Sequence, residues 1–337
     1  MGIMDGNQIE EKVVDVQLTP PWSWVSYVGA VTTVLRSRGV KCDFTDVAGM
    51  SGYAFVINID PELLPTGPVA FDWEVLVEGT QALGIETELV AVERGADEQE
   101  LAAELFERVR AEIDAGRLCI VWGAGDAPEF GIIYGYRCDS YLVRSSRSCR
   151  FHEENKELGP ADEPEPPVRF DSLKAPWRLA GLFFGERIKP DVELQERQAI
   201  SRGVKLLRGH HACFDSNYYY GARAFRIWGD ILKRGRADSV GNVFNLMCYW
   251  ELQMFATGFC QRLAKRRKSA GVPLAEAADL FQSSFKNLER LKSQLPKNVE
   301  EGIENWVATT GAANLLNECA DFNERAAAAL ERALALM

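Results

Sequence analysis

Apolar and polar positions alternate along the first half of the chain with two periods. Trp24, Val28, Val31 and Leu35 recur at helical spacing after the Pro20-Pro21 stop, which predicts a helix capped by Ser23 and ended by Gly39. Ala54 to Ile59 reads as a strand closed by Asp60-Pro61, and Asp72 caps a short helix that Gly84 terminates. Ile85 to Val92 is rich in β-formers. The box Asp97-x-x-Glu100 then opens a helix with the stripe Leu101, Leu105, Val109 and Ile113. Three strands follow at 118–122, 130–136 and 141–144, and their brief turns suit an antiparallel meander. Trp177 to Ile188 predicts one more strand returning to that sheet.

From Asp191 onward the pattern is helical throughout, with helices predicted at 191–207, 217–233, 240–267, 274–293 and 298–335, the last broken near Gly311. The stretch Val240 to Leu263 is apolar around most of its circumference and predicts a buried central helix. Residues 152–168 are acidic and rich in proline, which marks an exposed loop. The expected class is α+β. An N-terminal half of helices plus antiparallel sheet, residues 1–189, is followed by an all-helical half, residues 190–337.

A length of 337 residues suits two packed units, and 47% hydrophobic with 26% charged residues is ordinary for a globular protein. The net charge of -11 argues against nucleic acid as a partner, because phosphate binding needs a concentrated basic surface. The densest basic run, Lys265 to Lys268, falls at a predicted helix end, where cations offset the dipole. Eight cysteines without a CxxC spacing suit reduced, buried thiols of a cytoplasmic protein. No secretory segment is visible in Met1 to Gln17, and no apolar run approaches the roughly 18 residues of a spanning helix. Three scattered histidines offer no metal-ligand spacing, so neither a metal nor a cofactor is expected.

Two segments carry a family likeness. Ser26 to Gly39 and Pro128 to Asp139 resemble the papain-like superfamily in its peptidase C39-like branch, in particular the amino-terminal domain of the butirosin biosynthesis protein H family, an acyltransferase lineage. In that branch a nucleophilic cysteine opens the helix thirteen positions before its glycine, and a histidine begins the strand. The resemblance places Ser26 and Glu129 at those two positions. The C-terminal half resembles the helical extension of the same family through Gly241-Asn242-Val243-Phe244-Asn245 and the aromatic segment 218–233.

Serine has a far higher pKa than cysteine and depends more on a true base, and a carboxylate of ordinary pKa is a poor base towards a hydroxyl. The resemblance therefore implies a degenerate pair. The leading expectation is binding of a small molecule or acyl group in a cleft between helix 24–38 and the strand from Phe130, closed by the helical half. A second reading is an acyltransferase or hydrolase in which Ser26 is acylated, Glu129 is the base, and Asp139 or Asn58 orients it. A third is a structural role in which the apolar helices pack against another copy. Candidate ligand residues are Trp24, Tyr134, Asn245, Trp250 and Glu251. Glu251 is a lone acid in an apolar helix, and its bland alternative is a pair with Arg223 or Arg226.

Overall fold

The computed structural model describes residues 10–16, 18, 23–95, 97–125, 127–145, 165–210, 217–235, 237–296, 306–307 and 311–337. In chain order its elements are β1 (Glu11–Val13), α1 (Ser26–Ser37), α2 (Phe44–Ser51), β2 (Asn58–Ile59), α3 (Glu74–Ala82), β3 (Ile85–Glu93), α4 (Glu98–Asp114), β4 (Cys119–Trp122), β5 (Phe130–Arg137) and β6 (Ser140–Arg144). They continue with β7 (Val168–Arg169), β8 (Arg178–Arg187), α5 (Val192–Leu207), β9 (Tyr219–Tyr220), α6 (Ala224–Lys233), α7 (Ser239–Arg266), α8 (Gly271–Ser293) and α9 (Ala312–Leu334). The protein is α+β, with one antiparallel seven-stranded sheet and a helical C-terminal region.

Two compact units emerge, and they are not the two halves of the sequence. The first joins residues 1–41 to 85–188, and the second joins 42–84 to 189–337. The sequence reading gave 42–84 to the first half. The structure assigns it to the helical unit instead, for a reason of packing. A Cβ on Gly49 would lie 2.2 Å from the Phe259 ring of α7, and one on Gly203 of α5 would lie 2.5 Å from the Phe55 ring. Backbone and aromatic ring touch directly at both places, so the segment is embedded among α5 and α7.

In the first unit the sheet order is β3-β8-β4-β5-β6-β7, with β1 added alongside β5. The expected meander is present as β4-β5-β6, and the late strand β8 inserts between β3 and β4. Strand β4 is buried at all four positions, as its unbroken Cys-Ile-Val-Trp run suggests, whereas β3, at the sheet edge, alternates. Helix α1 is buried from Ser26 to Leu35, so its β-branched valines and threonines are tolerated because tertiary packing outweighs their weak helix propensity.

Several local expectations are corrected. Helix α1 begins at Ser26 after an N-cap at Val25, and the Ser23 hydroxyl instead accepts from Val25 N at 3.1 Å. The Asp97 side chain forms no capping bond to α4. Residues 53–55 form a 3-10 turn, leaving only Asn58–Ile59 as strand where 54–59 was expected, and β2 pairs with β9. Tyr219–Tyr220 is strand, so α6 starts at Ala224. Most of the acidic loop 152–168 and the start of the last expected helix lie outside the described residues.

Helix α7, the expected central helix, has sixteen buried residues around its circumference. The basic run at its end serves the unit itself. Arg266 and Arg267 both bind the carboxylate of Glu196 on α5, which is only 2% exposed. Arg262 likewise binds Asp43 and Asp46, the two members of the capping box that opens α2. Burial pushes the Asp43 carboxyl up, but the Arg262 hydrogen bonds and charge, with the Asp46 amide, hold it below its ordinary value.

Candidate functional site

The start of α1 and the start of β5 meet in the first unit. Ser26 Oγ accepts a hydrogen bond from Phe130 N at 3.1 Å, and Glu129 is the preceding residue. Both Ser26 (8% exposed) and Glu129 (9%) are largely withdrawn from solvent. The contact has a simple origin in the sheet. Gly123 N donates to Glu129 O at 2.7 Å, so β4 fixes residue 129, and the next amide is directed at the helix. Aromatic rings surround the junction. Tyr27 meets the Phe130 ring edge-on at 5.7 Å, Trp122 tilts over Phe130 at 4.9 Å, and Trp177 stacks on Trp122 at 6.4 Å.

The other candidates do not join this pair. Asp139 sits two residues past the far end of β5, whose seven steps from Phe130 to Arg137 span about 23 Å at ~3.3 Å per residue. There its carboxylate binds Arg169 and accepts from Ser140 Oγ. The expectation that Asp139 orients Glu129 therefore fails on reach. Tyr134 is four residues along β5 and lies beneath the Arg144 guanidinium, 5.8 Å from the ring centroid. Trp24, two residues before Ser26, is half-buried beside the site.

Neither a family model nor a curated protein matches this sequence. The site must be read from its own atoms. A serine hydroxyl that accepts a backbone N–H retains its hydrogen for donation, and a neighbouring buried carboxylate is an acceptor. The Ser26 hydroxyl can therefore donate to a ligand at this junction. Among the described residues no cluster of three histidine, cysteine or acidic side chains is arranged to hold a metal. The Cys119 thiol, buried in β4, is pushed well above the ordinary range by burial and is inert as a nucleophile. Histidines 152 and 211 lie outside the described residues.

In the second unit, Asn245 uses its amide nitrogen to hold a loop, donating to Leu63 O, Leu64 O and Gly241 O at 3.2, 3.1 and 2.8 Å. Trp250 stacks on Phe285, and Lys292 Nζ lies 3.4 Å from its ring centroid. Glu251 is 4% exposed on the opposite side of α7 from Asn242, and Arg226 is committed to Asp321 and Glu324 of α9. What the sequence reading missed is the companion set on α7. Asn242, Asn245, Tyr249 and Gln253 share one face at spacings of three, four and four residues. The signal was present as four polar positions at helical period in an apolar helix.

Proposed function

We propose that the first unit is a papain-like scaffold whose cysteine chemistry is lost and which binds a small molecule or acyl group between α1 and β5. The observation that carries this reading is the 3.1 Å contact of Ser26 Oγ with Phe130 N, beside Glu129. It joins a helix start to a strand start, the two points where the superfamily resemblance places nucleophile and base. Non-covalent binding is favoured over acyl transfer because Ser26 Oγ already accepts a backbone hydrogen bond, which lowers its nucleophilicity. The orienting group expected at Asp139 is also out of reach. Acyl transfer remains the second reading, supported by the position of Ser26 at the start of α1 beside the strand start that carries Glu129.

The deciding experiment is mass spectrometry of the full chain, intact and native, after incubation with a panel of acyl thioesters and serine-directed electrophiles. The expected result is reversible binding of a panel member, lost in Ser26→Ala/Glu129→Gln. A covalent adduct that vanishes in Ser26→Ala establishes the acyl-transfer reading instead. Binding that the double variant leaves unchanged sinks both.

A further inference from the structure

The amide face of α7 presents a problem of hydrogen-bond accounting. Among the described residues, Asn58 Oδ1, Asn242 Nδ2, Asn245 Oδ1 and both polar atoms of the Gln253 side chain have no hydrogen-bond partner. All four residues are 0% exposed. Leaving a buried donor or acceptor unmet costs its full desolvation, and native proteins rarely tolerate several together.

Rotating the amides does not remove the problem, because three of the four are fixed by their other end. Asn58 Nδ2 donates to Ala70 O at 3.0 Å, Asn242 Oδ1 accepts from Trp228 Nε1 at 2.8 Å, and Asn245 Nδ2 faces three carbonyls. Exchanging oxygen and nitrogen at any of them would break a bond that exists. The groups are also neighbours. Tyr249 OH donates to Asn58 O and accepts from Asn58 N, which draws Asn58 to α7. Gly67 brings Asn58 and Asn245 to one place, since a Cβ there would lie 2.3 Å from Asn58 O and 3.1 Å from Asn245 Oδ1.

The polarity of the set selects its guest. Among Asn58, Asn242 and Asn245, two unmet acceptors and one unmet donor exclude a simple cation, which would meet the Asn242 amide hydrogens, and a simple anion, which would meet two carbonyl oxygens. The guest must be neutral, small, and able both to give and to take hydrogen bonds. We propose that this face of α7 is a binding site for ordered internal water. One molecule bridges Asn58, Asn245 and Asn242, and another lies at Gln253, one turn beyond Tyr249. Buried water of this kind joins about three polar groups and is an integral part of a fold.

Oxygen-17 relaxation dispersion on the full chain counts long-lived internal waters. The wild type should show a dispersion whose amplitude falls by about one water in the near-isosteric Gln253→Met. That variant should also melt no higher than the wild type, because it loses bonds that are made. Equal amplitudes in the two proteins, or a melting temperature raised by several degrees in Gln253→Met, would overturn the proposal. A crystal structure covers the case in which the variant does not fold. It should show solvent density within about 3.2 Å of Asn58 Oδ1, Asn245 Oδ1 and Asn242 Nδ2, and a dry interior there refutes it.

Discussion

Helices α1 and α7 are both buried on nearly all sides, yet they use their polar residues in opposite ways. In α1 the hydroxyls of Thr32 and Thr33 turn back to the carbonyls of Val28 and Gly29 in the same helix, while Ser26 meets the start of β5. In α7, Tyr249, Asn245 and Asn242 reach outward. Tyr249 grips the backbone of Asn58, Asn245 the loop at Leu63 and Leu64, and Asn242 the indole of Trp228. A buried polar residue that bonds its own helix fills space, whereas one that bonds a distant segment specifies where that segment goes.

The contrast is sharpest at Tyr249. Tyr249→Phe keeps the ring but strips the backbone N–H and C=O of Asn58 of a shared partner, so the expected loss is about 2–4 kcal/mol, read from the urea midpoint. A loss below about 1 kcal/mol would erase the distinction between the two helices.

Arg262→Ala tests the same idea at a half-exposed site. Solvent weakens this pair, so a loss of about 1 kcal/mol at neutral pH is expected. The sign of its pH dependence follows from Asp43, whose folded pKa is depressed. Such a group stabilises the fold above its unfolded pKa, and that contribution disappears as pH falls through the folded value. Urea titrations at pH 7 and near pH 2.5 should therefore show the wild type and Arg262→Ala converging in acid. A gap that widens instead would contradict the assignment.

The smallest effect belongs to α1. Thr32→Val exchanges a self-satisfied hydroxyl for a methyl of similar shape, and thermal melts should register a change under about 1 kcal/mol. A large loss would show that this hydroxyl, too, does long-range positioning.

The strand-and-helix reading of the sequence places most elements within a few residues, because β3, β4, β5, β8 and the long helices carry strong periodicity. It fails where the periodicity is overridden. The apolar run 54–59 is too aromatic and too deeply packed against α5 and α7 to remain a strand, and Ser23 yields the helix start to Val25. Ser26 meets the amide of Phe130, next in sequence to Glu129, whereas Asp139 follows the β5 strand to its far end. The predicted strand 130–136 already implies that separation, since it holds Glu129 and Asp139 at opposite ends. The assignment of 42–84 was illegible for a different reason. The residues that hold it, Arg202, Tyr249 and Phe259, lie more than a hundred positions downstream.

That arrangement has a consequence for how the chain is made. As the polypeptide leaves the ribosome, residues 42–84 emerge long before the helices that enclose them, while 10–41 must wait for 85–188. The early segment, with Tyr53, Phe55, Trp73 and Leu76 all destined for burial, spends much of synthesis without its partners. Premature termination near residue 189 would release a chain whose sheet is complete but whose excursion from 42 to 84 is an exposed apolar loop. Such a product is a substrate for chaperones and proteases, and the two units are thereby committed to be produced as one.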